Sequence, residues 1–183
     1  MNPTDYATLL KTAYQTIKTL PNPPTVVVGG FGAGAPVASQ YLDEMKRLWA
    51  GSVYFDAVGL HPYLAVVDGI GWPERGTMES NINLLYAHAM GKPLWLTEFG
   101  AAIQNLGSKE IIAQYLENCY RLFERLKDGN RRKVAVAFWF AWDDRTHWDP
   151  ARESHGLVEP NRSGSPDTWR RPAWYRYREL SRR

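Results

Sequence analysis

The sequence predicts an α/β fold built on parallel strands, and three observations carry that prediction. Short apolar runs recur at about 25–28, 55–60, 94–97 and 134–140. Each is followed by a stretch whose apolar residues fall at helical spacing. Strand-then-helix repetition of this kind builds a parallel sheet with right-handed crossovers. Residues capable of chemistry also gather where the runs end: His61 and Tyr63, Glu98, and Trp139 to Asp144. At 183 residues the chain is long enough for one domain, taken as 1–183, with a substantial core.

The elements follow in order. A first helix is expected over 2–19, with Asn2 as cap, Pro3 in the first turn and Asp5 at its positive end. Tyr6, Leu9, Leu10, Ala13, Tyr14 and Ile17 then recur at helical spacing, and Pro21 to Pro24 stop it. The β-branched run Thr25 to Val28 reads as a strand covered on both faces. Gly29 to Gly34 reads as a flexible rim loop, and a helix from about Pro36 to Trp49 follows. Phe55 to Leu60 forms the second strand, leading into His61-Pro62-Tyr63 and a Gly- and Pro-rich loop. Met78, Ile82, Leu85 and Ala89 mark a third helix, and Leu94 to Thr97 a third strand ending at Glu98. Ser108 caps a long helix with Ile111, Ile112, Tyr115, Leu116, Cys119, Leu122, Phe123 and Leu126 on its buried face. Val134 to Phe140 is the fourth strand, and Pro172 opens a last helix through about Leu180. The reading is thus an N-terminal helix followed by four βα units.

Composition narrows the function classes. A net charge of +3, with the basic excess in the last stretch and no nucleic-acid-binding module, argues against nucleic-acid binding and for a solvated terminal helix. No apolar run is long enough to span a bilayer. The N-terminus does not read as a signal peptide and no compartment can be assigned. The single cysteine, Cys119, excludes an internal disulfide and reads as a small buried apolar residue. Aromatics reach 13%, which suits either a sugar-stacking cleft or an aromatic-rich core.

Two architectures use repeated βα units: an open doubly wound sheet and a closed (β/α)8 TIM barrel. Gly29-Gly30-Phe31-Gly32-Ala33-Gly34 lacks the G-x-G-x-x-G spacing of a dinucleotide turn. The placement of His61, Tyr63, Glu98 and Trp139 at C-terminal strand ends favours the barrel, whose active-site face is that end. A full barrel takes about 250 residues. Four units therefore make half of one.

The residues also carry a resemblance. Phe55 to Tyr63, Trp95-Leu96-Thr97-Glu98-Phe99-Gly100, Phe138 to Asp143, His155 to Val158 and Arg171 to Tyr175 together resemble the C-terminal half of a clan A retaining glycoside hydrolase. Within that clan the chain is most similar to the β-xylosidase and endoglycosidase group, with the cellulase-like family next. The resemblance implies strands five to eight of the barrel and Glu98 as catalytic nucleophile. It implies His61 and Tyr63 as site-lining residues, and Trp139, with Trp142 as second candidate, as the aromatic floor of a sugar subsite. It also implies that strands one to four and the acid/base Glu are missing here, because Asn2 to Ala7 corresponds to the segment just after that Asn-Glu.

The expected activity is hydrolysis of β-linked glycosides, or a truncated fragment of such an enzyme; the alternative is a non-catalytic carbohydrate-binding or structural half-barrel. Tyr63 is placed to donate a hydrogen bond to Glu98, and His61 is expected to be a structural hydrogen-bonder. Trp139 either stacks on a pyranose face or fills the barrel bottom, with stacking preferred. Glu74 and Glu79 are weak substitute acids. Asp143, Asp144, His147, Asp149 and His155 match no metal-ligand spacing, so neither metal nor cofactor is expected. The expected partners are a carbohydrate substrate and, to cover the open edges of a half-barrel, a second copy in a homodimer or a complementary N-terminal half.

Overall fold

The computed structural model describes residues 2–32, 34–143, 154–159, 165 and 169–180. Helix α1 (Pro3–Ile17) is capped by Asn2, whose side chain accepts from the Asp5 N–H at 2.8 Å. Strand β1 (Val27–Phe31) is followed by α2 (Ala35–Leu48), β2 (Ala57–Leu60), a 3-10 turn at Pro73–Arg75 and α3 (Met78–His88). Strand β3 (Leu94–Phe99) leads through the short α4 (Ile103–Leu106) into α5 (Lys109–Arg125). Then come β4 (Lys127–Asp128) and β5 (Arg131–Arg132), β6 (Val134–Trp139) and α6 (Pro172–Leu180).

Strands β1, β2, β3 and β6 form one sheet in that order, every neighbouring pair parallel. Val28 pairs with Val58, Val58 with Leu94 and Leu94 with Val134, so the four strands enter the sheet in step. This is the expected α/β arrangement of four parallel strands. One sheet face, carrying Val28, Val58, Leu60, Leu94, Leu96 and Phe99, packs under the helices in a single apolar core. The other face carries Val27, Trp95 and Thr97, which stay partly exposed, and Phe138, which is exposed. Among the described residues, no strand pairs with the outer edges of β1 and β6.

Polar ties fix the helices to the sheet. Asp56 accepts from Lys18 Nζ (2.7 Å), the Val26 N–H (2.7 Å) and the Tyr14 hydroxyl (3.3 Å), locking α1 against the β1–β2 entry. Burial works against the ionised form of Asp56, but Lys18 and these donors outweigh it and hold the carboxyl below its usual range. The Trp49 indole N–H donates to the Ala7 carbonyl at 3.2 Å and joins α2 to α1.

Two expectations need correction, and one small element was not anticipated. Gly29 and Gly30 belong to β1 rather than to a rim loop, since the strand continues to Phe31. Ile111 is 40% exposed rather than buried, because it lies in the first turn of α5 at the flank of the apolar stripe. The step from α5 to β6 contains a small antiparallel hairpin, β4–β5, turning at Gly129 and Asn130. Gly129 has φ +58°, and Gly129-Asn130 is the kind of Gly-first pair that signals such a two-residue turn.

Candidate active site

The site sits at the C-terminal ends of the parallel strands, and a bulge in β3 creates it. Leu94 and Leu96 face the helices, so strict alternation would turn residue 98 that way too. The register with β6 instead slips between Leu96 (opposite Ala137) and Phe99 (opposite Trp139). The extra residue returns Phe99 to the core and leaves Glu98 off the helix-facing layer, its side chain 41% exposed.

The Tyr63 hydroxyl donates to Glu98 Oε2 at 2.6 Å. His61 Nδ1 lies 3.8 Å from the same oxygen, and His61 Nε2 is 2.9 Å from Thr97 Oγ1. Burial, then the hydrogen bond to Glu98, pushes the Tyr63 phenol well above its ordinary pKa, so it stays protonated and remains a donor. Gly30 makes room for the His61 ring: a Cβ there would lie 3.2 Å from Nε2, and its φ of +124° disfavours a side chain in any case. Gly100 lets the β3 and β6 exits approach, since a Cβ there would lie 2.6 Å from the Phe140 carbonyl oxygen.

The structure thus brings His61, Tyr63 and Glu98 together. Trp139, expected as a sugar floor, is instead a core residue, 7% exposed, with its ring edge-on to Phe99 (5.4 Å) and near Tyr115 (6.4 Å). Its indole N–H donates to the His155 carbonyl. The reason is a slip in register along β6: Leu94 pairs with Val134 but Trp95 with Val136, and the extra residue puts Ala137 and Trp139 on the helix side and turns Phe140 the other way. Phe140 is therefore the aromatic beside the site, its ring 5.9 Å from that of Tyr63 at 88°. His155 completes the cluster, 5.8 Å from Phe140 and 6.2 Å from Tyr63. Alternation counted from the buried Val134 would have turned Phe140 towards the core, so the slip hid it; the sequence marks His155 only within the His155 to Val158 resemblance and as a metal candidate. Trp142 is 53% exposed on the segment leaving β6.

The segment bearing His155 is tied down on both sides. The Ile103 N–H donates to the Ser154 carbonyl, and the Ser154 N–H to Gln104 Oε1. Farther on, Glu159 accepts from Arg171 through both oxygens (3.1 Å each) and from Lys109 (2.5 Å). Arg171, opposed by desolvation and helped by Lys109, holds the Glu159 carboxyl down at about 2.

Glu74 and Glu79 are exposed, in the 3-10 turn after β2 and in the first turn of α3. Among the described residues no group of three His, Cys, Asp or Glu could hold a metal ion; Asp144, His147 and Asp149 lie outside them. Nor is any helix among them long and apolar enough to cross a membrane.

With a hydrogen-bonded carboxylate at the C-terminal rim of a parallel sheet, the family comparison decides between readings. A family model described as "Glycosyl hydrolase catalytic core" matches residues 1–168. The chain belongs to the glycosyl hydrolase catalytic core family. Among solved structures it is similar to a glycoside hydrolase family 17 β-1,3-glucanosyltransferase from Rhizomucor miehei, at 15% identity and a TM-score of 0.58. That match covers 91% of this chain and 57% of the other, so the chain spans just over half of its neighbour's length. It is also similar to β-glucosidase 1317, at 17% identity and a TM-score of 0.49, covering 85% of this chain and 41% of that one. No curated protein matches the chain.

Proposed function

We propose that this chain is the nucleophile-bearing half of a (β/α)8 barrel that cleaves β-linked glycosides with retention, Glu98 being the nucleophile. The observation that carries the reading is the 2.6 Å hydrogen bond from Tyr63 to Glu98 Oε2 at the strand rim. It aims the carboxylate and leaves Oε1 as the attacking atom. Oε1 bonds to the anomeric carbon as the glycosidic C–O bond breaks, and the departing oxygen takes a proton from a second carboxylic acid. That acid must stand roughly 5 to 5.5 Å from Glu98. It comes from a complementary half whose strands pair with the open edges of β1 and β6. Family membership, the strand-end placement of Glu98 and the resemblance to clan A strands five to eight support this reading.

The test avoids the need for that acid. A 2-deoxy-2-fluoro glycoside with a dinitrophenolate leaving group departs without protonation, and its intermediate is slow to hydrolyse. We expect mass spectrometry to find one glycosyl unit on Glu98, lost in Glu98→Gln. No adduct, or an adduct on another residue, overturns the assignment.

The sheet edges that no described strand pairs, with the partly exposed Trp95 and the exposed Phe138, also favour association of the isolated chain with a second copy.

A further inference from the structure

Beside Glu98 the loops after β1 and β2 enclose a cavity of about 170 Å³. Gly32, His61, Pro62, Tyr63, Arg75 and Asn81 form most of its wall. Drug-sized sites run to about 300–1,000 Å³, so this one suits a single unit of a chain rather than several. Its wall is of two kinds. The half-buried Tyr63 and the backbone at Gly32, with Pro62 buried behind them, give a weakly polar side of the sort that meets the C–H face of a pyranose. Asn81 and Arg75 supply the polar side.

Arg75 is the informative residue. It is the charged member of the wall at neutral pH, it is exposed, and among the described residues its guanidinium has no carboxylate partner. Its backbone is nevertheless fixed. Its N–H donates to the Trp72 carbonyl (2.9 Å), its own carbonyl accepts from Asn81 Nδ2 (2.9 Å), and the Gly76 N–H closes the turn onto Pro73 (3.0 Å). A guanidinium carried on a pinned turn has only side-chain freedom to lose on binding. Its fork matches a carboxylate through two parallel hydrogen bonds, a geometry that isolated sugar hydroxyls do not offer. Glu98 lies against two wall residues, Tyr63 (2.6 Å) and His61 (3.8 Å), and would repel a second anion near them, so the counterweight has to come from the Arg75 side of the wall.

We infer that this cavity is a subsite for a uronic acid: a pyranosyl unit whose C6 carboxylate is held by Arg75 and whose ring lies against Tyr63 and the backbone at Gly32. The inference rests on the glycosidase reading and narrows its substrate to acidic glycans.

Isothermal titration of the full chain with matched trisaccharides tests it: β-1,3- and β-1,4-linked glucan, each in neutral form and oxidised at C6 to the uronate. A uronate should bind tighter than its neutral counterpart by roughly tenfold or more, as a charge-assisted pair implies. The preference should weaken with added salt and vanish in Arg75→Gln, whose melting temperature should match the parent's because the side chain is exposed. Arg75→Lys should retain only part of it. Equal affinity for both forms, or a preference that survives Arg75→Gln, overturns the inference alone. If no trisaccharide binds, the inference falls; if the fluoroglycoside also fails to label Glu98, the glycosidase reading falls with it.

Discussion

At the residue scale, Tyr63 and Phe140 carry what is specific to the site. Tyr63→Phe removes the side-chain hydrogen bond that Glu98 Oε2 accepts among the described residues and leaves the ring in place. A hydrogen bond to a charged group contributes about 1.5–3 kcal/mol. The glycosylation rate of Tyr63→Phe, read by single-turnover trapping with the fluoroglycoside, should therefore fall roughly 10- to 100-fold. Trp139 and Phe140, adjacent in sequence, should part company when truncated. Trp139→Ala opens a cavity among Phe99, Tyr115 and the helices, and should cost about 3–5 kcal/mol in urea unfolding. Phe140→Ala should cost far less stability and instead weaken glycan binding by titration. The apolar run at 134–140 was legible as a strand. Which of its two bulky aromatics faced the site depended on the extra residue after Val134, which breaks the simple alternation a sequence can be read by.

At the scale of elements, the segment 154–159 is held by α4 at one end and by α5 and Arg171, the residue ahead of α6, at the other. The Glu159 knot gives this tie a definite pH signature. Its carboxyl is depressed in the folded state to about 2 from an ordinary value of 4.5. Its contribution to stability is thus fully present above about pH 4.5 and is lost as pH falls towards 2. Solvent screens part of the effect, leaving ~1–2 kcal/mol. Glu159→Gln should be less stable by about that amount at pH 7, and the gap between variant and parent should close in acid. Urea titrations across pH would show this; a gap that persists unchanged at pH 2 would contradict it. The strands and long helices could be read in the sequence because their apolar periods are clean. The ties around 154–159 could not, because a salt bridge between residues 50 apart, such as Lys109–Glu159, leaves no local pattern.

On the scale of the whole molecule, the described residues give four parallel strands with one face under helices and the other partly exposed. The helix side is closed by a continuous core, and the opposite side keeps Trp95 and Phe138 in contact with solvent. An open parallel sheet with one bare face invites pairing. Static light scattering at micromolar concentration should therefore report a dimer, and a monodisperse monomer would contradict the proposed association. Glu98 was legible because it closes an apolar run ahead of a glycine. The bulge that aims it was not, since an added strand residue changes no composition and only shifts the count. That shift has a practical result. It sets Glu98 outside the interlocking pattern that the scaffold relies on, so the acid can be exchanged for its amide without disturbing a single supporting contact in the core. Loss of labelling in that variant would then report on chemistry and not on a collapsed framework.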